Sequence, residues 1–303
     1  MTQTQKKGKR SRIHKSAGSW AFDLFNYLFL TLFCLTILLP FWYLLVLSFD
    51  EFGNVTAQDF FLWPRAFTLE NYKTVAENPA IWRGYANTIF RTVCGTFLSL
   101  LCTSMAAFAL SKNSFPNRKF WSFYVVFTMF FSGGMIPTYL WIKDLHLLDN
   151  RLVLILPGLV GAYNLVLIRN FFKQIPPELE ESARIDGASD FRVFWNIILP
   201  VSKPILATIA LWLAVGHWNA WFDCLIYIRD TRKYVLQIIL QRIVIEGTIE
   251  NLSNTEQMTE DFNARPEMVK AACIYFTTLP ILCVYPFLQK YFVKGIYVGS
   301  LKG

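Results

Sequence analysis

Side chains able to do chemistry are few in this chain, and their spacing favours binding over catalysis. His14, His146 and His217 stand far apart, with no carboxylates at a spacing that would make an acid–base pair. Cys34, Cys94, Cys102, Cys224, Cys273 and Cys283 form no C-x-x-C pair and no metal-spaced set with histidine, so they read as packing thiols. No G-x-x-x-x-G-K-[ST] segment occurs, and any nucleotide chemistry must belong to another chain. What remains are polar groupings suited to contact. Glu178–Ala188 is a charged, helix-prone run. His217-Trp218-Asn219-Ala220-Trp221-Phe222-Asp223 mixes aromatic faces with an imidazole and an amide. One reading of that run is an interfacial aromatic belt. The other is a wall on which pyranose rings stack while the polar groups bond their hydroxyls, with Asn164 and Trp212 as weaker contributors to the same cavity. Arg91 also has two readings: a cation on a cargo path, or one that snorkels or pairs locally.

The elements that carry these residues are apolar. The chain has 303 residues, 54% hydrophobic and 17% aromatic, too apolar for an ordinary soluble domain. Crossing a bilayer as a helix takes about 20 mainly apolar residues. Windows near 24–49, 85–110, 121–142, 152–172, 204–224 and 271–292 qualify, which predicts an all-α membrane protein with six transmembrane helices. The run from Tyr27 to Phe49 is too long for a signal peptide core and is expected to be a retained first span. The organisation expected is a tail over 1–23 and one transmembrane domain over 24–303, with loops at 173–203 and 224–270.

Charge orients this bundle. Lys6, Lys7, Lys9, Arg10, Arg12, Lys15, Lys112, Arg118, Lys119, Lys173, Arg184, Arg192 and Lys203 fall on one side, together with Lys290, Lys294 and Lys302. Basic residues near the ends of spans stay in the cytoplasm, so both termini and the 173–203 loop are expected there, in a multi-pass plasma-membrane protein. The net charge of +8 therefore reflects topology, and no nucleic-acid partner is expected. Within the spans, Asn87, Thr88, Arg91, Thr92, Gly95, Thr96, Ser99 and Thr103 recur at helical spacing and should face other helices or a wet cavity. Ser132-Gly133-Gly134-Met135-Ile136-Pro137 and Pro157-Gly158 should interrupt their helices. Val235–Val244 reads as a short amphipathic or interfacial helix, and 247–266 as a polar surface loop.

The 173–203 loop is legible in detail. Pro176-Pro177 followed by Glu178, Glu180 and Glu181 starts a helix with acids at its positive end. Gly187 stops it, and Ser189 or Asp190 can cap a second helix. There Phe191, Phe194, Trp195 and Ile198 make one apolar face, suited to a partner's groove. Pro200 and Pro204 should end this helix and begin the next span.

This loop resembles the coupling motif of binding-protein-dependent ABC importer permeases: E-A-A, three residues, G, nine residues, I-x-L-P. Here it runs Glu181-Ser182-Ala183, Gly187, then Ile197-x-Leu199-Pro200 with the spacing kept. Phe67–Tyr72, Asn87-Thr88, Phe115-Pro116 and Gly299–Gly303 resemble the smaller permease of the maltose-type carbohydrate group. Phe131–Tyr139 and Asn164–Phe172 resemble its branch for larger oligosaccharides such as those from alginate, xylan or pectin. The resemblance implies the type I importer permease fold and a carbohydrate cargo. It implies as partners a second permease, two ATPase subunits holding ATP and Mg, and an extracellular solute-binding protein. No cofactor or metal is implied on this chain, and no enzymatic activity. It also implies ATPase contact through Glu181, Ser182, Ala183, Arg184, Asp186 and Gly187, and through the tail Lys294–Gly303. The alternative is an ion-gradient-driven secondary carrier. It lacks support in the spans, where the only nearby acids, Asp23 and Asp223, lie at ends and no repeat is evident.

Overall fold

In lipid every backbone N–H and C=O must be paired within the protein, and helix is the local solution for segments this apolar. The computed structural model describes residues 17–52, 61–246 and 265–300. Residues 1–16 of the expected tail and 247–264 of the expected polar loop lie outside the described residues. So do the side chains after Cys283, and with them the expected contact at Lys294–Gly303. The helices are α1 (Ala17–Ser48), α2 (Glu70–Glu77), α3 (Pro79–Ser111), α4 (Arg118–Phe130), α5 (Met135–Asp144), α6 (Ala162–Phe172), α7 (Glu178–Ile185), α8 (Asp190–Val193), α9 (Leu199–Val201), α10 (Lys203–Asn219), α11 (Phe222–Tyr227), α12 (Leu236–Gln241) and α13 (Pro266–Ser300). The described residues contain no strand, only a single bridge between Asp50 and Phe67.

The spans divide into straight and broken ones. Gly18–Ser48 and Pro79–Ser111 are each long and apolar enough to cross a membrane, and α13 contains the sixth expected window. The windows 121–142 and 152–172 are not single straight helices, and 204–224 is α10 as far as Asn219 and then α11 from Phe222. α4 and α5 meet at 116° and the short turns over Arg151–Gly158 meet α6 at 49°, while the 83° bend between the α8–α9 segment and α10 lies just before the fifth window. The causes lie in the sequence. Gly134 adopts φ +88, a left-handed conformation open to glycine. Pro157 sits in a 3-10 turn over Leu156–Gly158. Pro200 has no N–H to donate, and a π-helical turn over Phe194–Ile198 comes just before it. The break falls at Ser202, between Pro200 in α9 and Pro204 in the first turn of α10.

α3 is the axis of the fold, with a hydrophobic core at each end. At its N-terminal end Ala80, Ile81 and Tyr85 pack with Ile142, Val153, Val235, Leu236, Ile238, Ile239 and Cys273. Hence α12 is core, not the interfacial helix that its apolar run predicts. At the C-terminal end Ala107 and Leu110 pack with Leu165, Ile168, Phe172, Val193, Phe194 and Ile198. Between these cores the predicted polar stripe is buried: Asn87, Thr88, Arg91, Gly95, Ser99 and Thr103 all face neighbouring helices. Asn87 donates to the carbonyls of Arg232 and Tyr234 at 3.0 and 2.9 Å. The Thr88 hydroxyl accepts from Leu236 N–H at 2.8 Å, satisfying a free donor at the start of α12. By contrast α1 exposes its apolar side chains from Trp20 to Trp42, and a small cluster joins its end, at Leu47, to Met268 and Ala271 of α13.

The far end of the bundle from α7 is tied by carboxylates. Buried Asp50 accepts from the backbone N–H and guanidinium of Arg65, the latter at 2.6 Å. Asp149 accepts from the N–H groups of Asp230 and Arg229 at 3.0 and 3.2 Å and from the Lys233 ammonium at 3.0 Å. The Asp230 N–H is the main reason that its carboxyl is held below the usual carboxylate range, with Lys233 adding to the effect.

Gly95 lies against the His217 ring: a Cβ there would come within 2.7 Å of Nε2. Gly95→Val should therefore destabilise the α3–α10 contact by about 1–3 kcal/mol, the usual cost of overpacking. Thermal unfolding of the detergent-solubilised protein checks this. Adding His217→Ala should recover most of the loss, and an unrelieved double variant would contradict the contact.

Candidate functional site

The α7–α8 hairpin is built by local rules before any tertiary contact. Glu178, Glu180 and Glu181 occupy the first turn of α7, where the helix dipole favours acids. The helix closes in a Schellman motif. The Gly187 N–H donates to the Arg184 carbonyl at 3.0 Å and the Ala188 N–H to the Ala183 carbonyl at 2.9 Å. Gly187 takes φ +79, which explains the glycine. Ser189 then caps α8, its hydroxyl accepting from Arg192 N–H at 3.4 Å, and Arg184 bridges to Asp190 at 2.6 Å across the turn.

Tertiary contacts weld this hairpin to the bundle. Ala183 and Ala188 pack on the core at the C-terminal end of α3, and Val193, Phe194 and Ile198 are buried in it. An ion pair joins Lys112, just past α3, to Glu180 of α7. The apolar face expected to fit a partner is therefore divided. Phe194 and Ile198 serve this chain's own core, whereas Phe191 and Trp195 remain exposed. On α7, Glu181, Ser182, Ile185, Asp186 and Gly187 are exposed, and Ile185 is 86% so. An isoleucine this exposed beside Leu179 and Phe191 makes an apolar contact patch framed by carboxylates. Of the expected contact residues, Glu181, Ser182 and Asp186 face outward, Arg184 is exposed while bridging to Asp190, and Ala183 turns inward as part of the weld.

The other candidates do not converge on one wall. His217 packs on Gly95. Trp218 packs against the core at the far end of α3, and the Asn219 amide donates back to the Val215 carbonyl of its own helix at 2.9 Å. Arg91 is 4% exposed and ion-paired with Asp223, and it donates to the Ala220 carbonyl at 3.1 Å. Its cation is used inside the chain, holding the break between α10 and α11 against α3. The run His217–Asp223 is thus divided, with Asn219 and Phe222 exposed and His217, Trp218, Trp221 and Asp223 partly buried. Trp212 instead stacks on Tyr163, with ring centroids 6.3 Å apart and planes 24° apart. Both rings are exposed, and Asn164 follows Tyr163 in α6. Sequence reasoning missed Tyr163, because no helical period links it to a residue about fifty positions away. It missed the Lys112–Glu180 pair for the same reason.

With this geometry in view, a family model for the binding-protein-dependent transport system inner membrane component matches residues 11–297. The chain belongs to this family. It is a membrane-embedded transport component, not an enzyme, and its all-α arrangement is the permease fold of ABC importers. Membership leaves no support for an ion-gradient carrier. The permease is 45% identical to Protein LplC of Bacillus subtilis (strain 168), over 96% of this chain and 98% of that one. It is 40% identical to the polygalacturonan/rhamnogalacturonan transport system permease protein YtcP of the same organism, over 93% and 98% of the two chains. Among solved structures it is similar to a chain of a bacterial ABC transporter involved in the import of the acidic polysaccharide alginate. The TM-score there is 0.85 at 35% identity, covering 92% of this chain and 99% of that one.

The Lys112–Glu180 pair is mostly buried, with side chains 18% and 14% exposed. Lys112→Glu should leave two carboxylates facing each other and cost about 1–3 kcal/mol. Joining it to Glu180→Lys should restore stability, read as the thermal midpoint of the purified permease complex. A swap no better than the single variants would contradict the pair.

Proposed function

We propose that this permease imports an oligosaccharide that an extracellular solute-binding protein delivers, driven by ATP hydrolysis on partner subunits. The reading rests on the exposed α7 face welded to the bundle, and it is supported by relatives whose names refer to polysaccharide transport. We place α7 and both termini on the cytoplasmic side, in keeping with the basic residues around it. On this reading residues 1–23 form a cytoplasmic tail and 24–303 one permease domain paired with a second permease and two ATPases. ATP and Mg belong to the ATPases.

The mechanical proposal follows from the contacts. Glu181, Ser182, Ile185 and Asp186 meet the ATPase, and Gly187 lets the chain turn back at that contact. Because Phe194, Ile198, Ala183 and the Lys112–Glu180 pair tie the hairpin to α3 and α6, displacement of α7 carries the inner ends of those helices with it. The bend at Ser202 is where α10 accommodates that movement. ATP-driven closure then shifts a two-state population between inward- and outward-facing bundles. For the cargo path we propose Tyr163 and Trp212 as a stacking platform, with Asn164 as the neighbouring hydroxyl partner. Arg91, His217, Trp218 and Asn219 shape the helix packing behind it.

Glu181→Lys, or Gly187→Val at its positive φ, should abolish cargo-stimulated ATP hydrolysis by the complete importer while leaving membrane insertion intact. Stimulation is measured with the loaded binding protein in proteoliposomes. Normal stimulation in both variants would contradict the coupling assignment.

A further inference from the structure

The α7 end carries cations that its own carboxylates do not balance. Lys112 is paired with Glu180, and Arg184 with Asp190. Arg118, which opens α4, reaches only the Asn113 side-chain oxygen among the described residues. Arg169 in α6 donates to the Ser122 hydroxyl at 2.9 Å, and its Nε is buried without a partner among the described residues. Lys173, just past α6, has no ion pair there either. These cations feel one another: partial desolvation first, then the charges of Arg169 and Arg118, hold the exposed Lys173 ammonium below the usual lysine range. Arg118 and Lys173 also line an open groove of about 550 Å³ behind α7, shared with Lys112, Arg184, Glu180 and Glu181. Of its two carboxylates, Glu180 is already paired, which leaves Glu181 to balance both Arg118 and Lys173.

An apolar wall begins where this cluster ends. In α4, Phe120, Trp121, Phe123 and Tyr124 follow Arg118 and are all exposed, and Phe127 and Phe130 continue the surface. A cation group adjoining an exposed aromatic face matches a molecule with an anionic head and apolar tails. Basic pockets between membrane helices on the cytoplasmic side bind such headgroups, and indole and phenol rings favour that depth. Inorganic phosphate would satisfy the cations but would leave the wall without a use.

We propose that Arg118, Arg169 and Lys173 bind the phosphate of an anionic phospholipid, whose acyl chains lie along the exposed face of α4. A headgroup so placed sits directly behind the hairpin and braces the 111–118 turn against α6. The site stands whatever the cargo proves to be, since nothing in it depends on the sugar path.

The test uses the assembled importer in nanodiscs of phosphatidylcholine with and without phosphatidylglycerol, and reads lipid retained after detergent extraction by native mass spectrometry. The wild type should keep phosphatidylglycerol in preference to phosphatidylcholine. Arg118→Gln with Lys173→Gln should weaken that retention by roughly fivefold per charge removed, and Arg118→Lys with Lys173→Arg should preserve it. Lys173 is exposed, so Lys173→Gln alone gives a variant whose folding is not at stake. Equal retention of both lipids, or unchanged retention in the glutamine variants, would overturn the site. Displacement of the lipid by millimolar inorganic phosphate would overturn it in favour of a free-anion site.

Discussion

The structure turns on the burial of Phe194 and Ile198 beneath the α7–α8 hairpin. A polar hairpin attached to lipid-spanning helices only by its ends would move without consequence for them. Here the residues that follow the glycine turn are packed against Ala107 and Leu110 of α3 and Ile168 and Phe172 of α6. Truncating a buried phenylalanine typically costs about 3–5 kcal/mol, so the hairpin does not peel away under ordinary fluctuations. The Lys112–Glu180 pair adds a second attachment on the same face of α7 as Ala183. Work done on α7 therefore reaches α3 and α6 through contacts that are already made.

α3 distributes that displacement. It has an apolar core at each end and a polar middle, where hydroxyls of Thr92, Thr96, Ser99 and Ser104 are buried without partners among the described residues. Small polar residues allow close helix approach without the interlocking of large side chains, and Gly95 in this stretch lies directly against the His217 ring of α10. Near the far core, the buried Arg91–Asp223 pair fixes the α10–α11 break to α3. Removing one partner of such a pair would leave a buried charge unmatched.

How much of this was legible in the sequence depended on range. Local rules were readable: the glycine at 187, the serine cap at 189, the acids at the start of α7 and the break at Gly134 all follow from neighbours within a few residues. So was the buried polar stripe of α3, because its period is that of a helix. Long-range pairing was not. Nothing in sequence spacing says that Arg91 meets Asp223, that Tyr163 stacks on Trp212, or that Val235–Ile239 enters the core instead of lying on a membrane surface. The apolar face at Phe191–Ile198 was visible as a period, but only tertiary contact decides which half of it faces inward. The prolines were readable too: the surface helix ends at Val201, just after Pro200, and α10 opens at Lys203 with Pro204 in its first turn.

The central claim is that the hairpin and the adjoining ends of α3 and α6 move as one body. It is tested most directly by double electron–electron resonance on the complete importer, with spin labels at exposed Ser182 of α7 and exposed Met105 of α3. The distance between them should stay the same, with the same width, in nucleotide-free and ATP-bound states, while a Ser182–Val215 pair reporting on α10 changes. A Ser182–Met105 distance that shifts or broadens with ATP would show the hairpin sliding on its core, and would contradict the account.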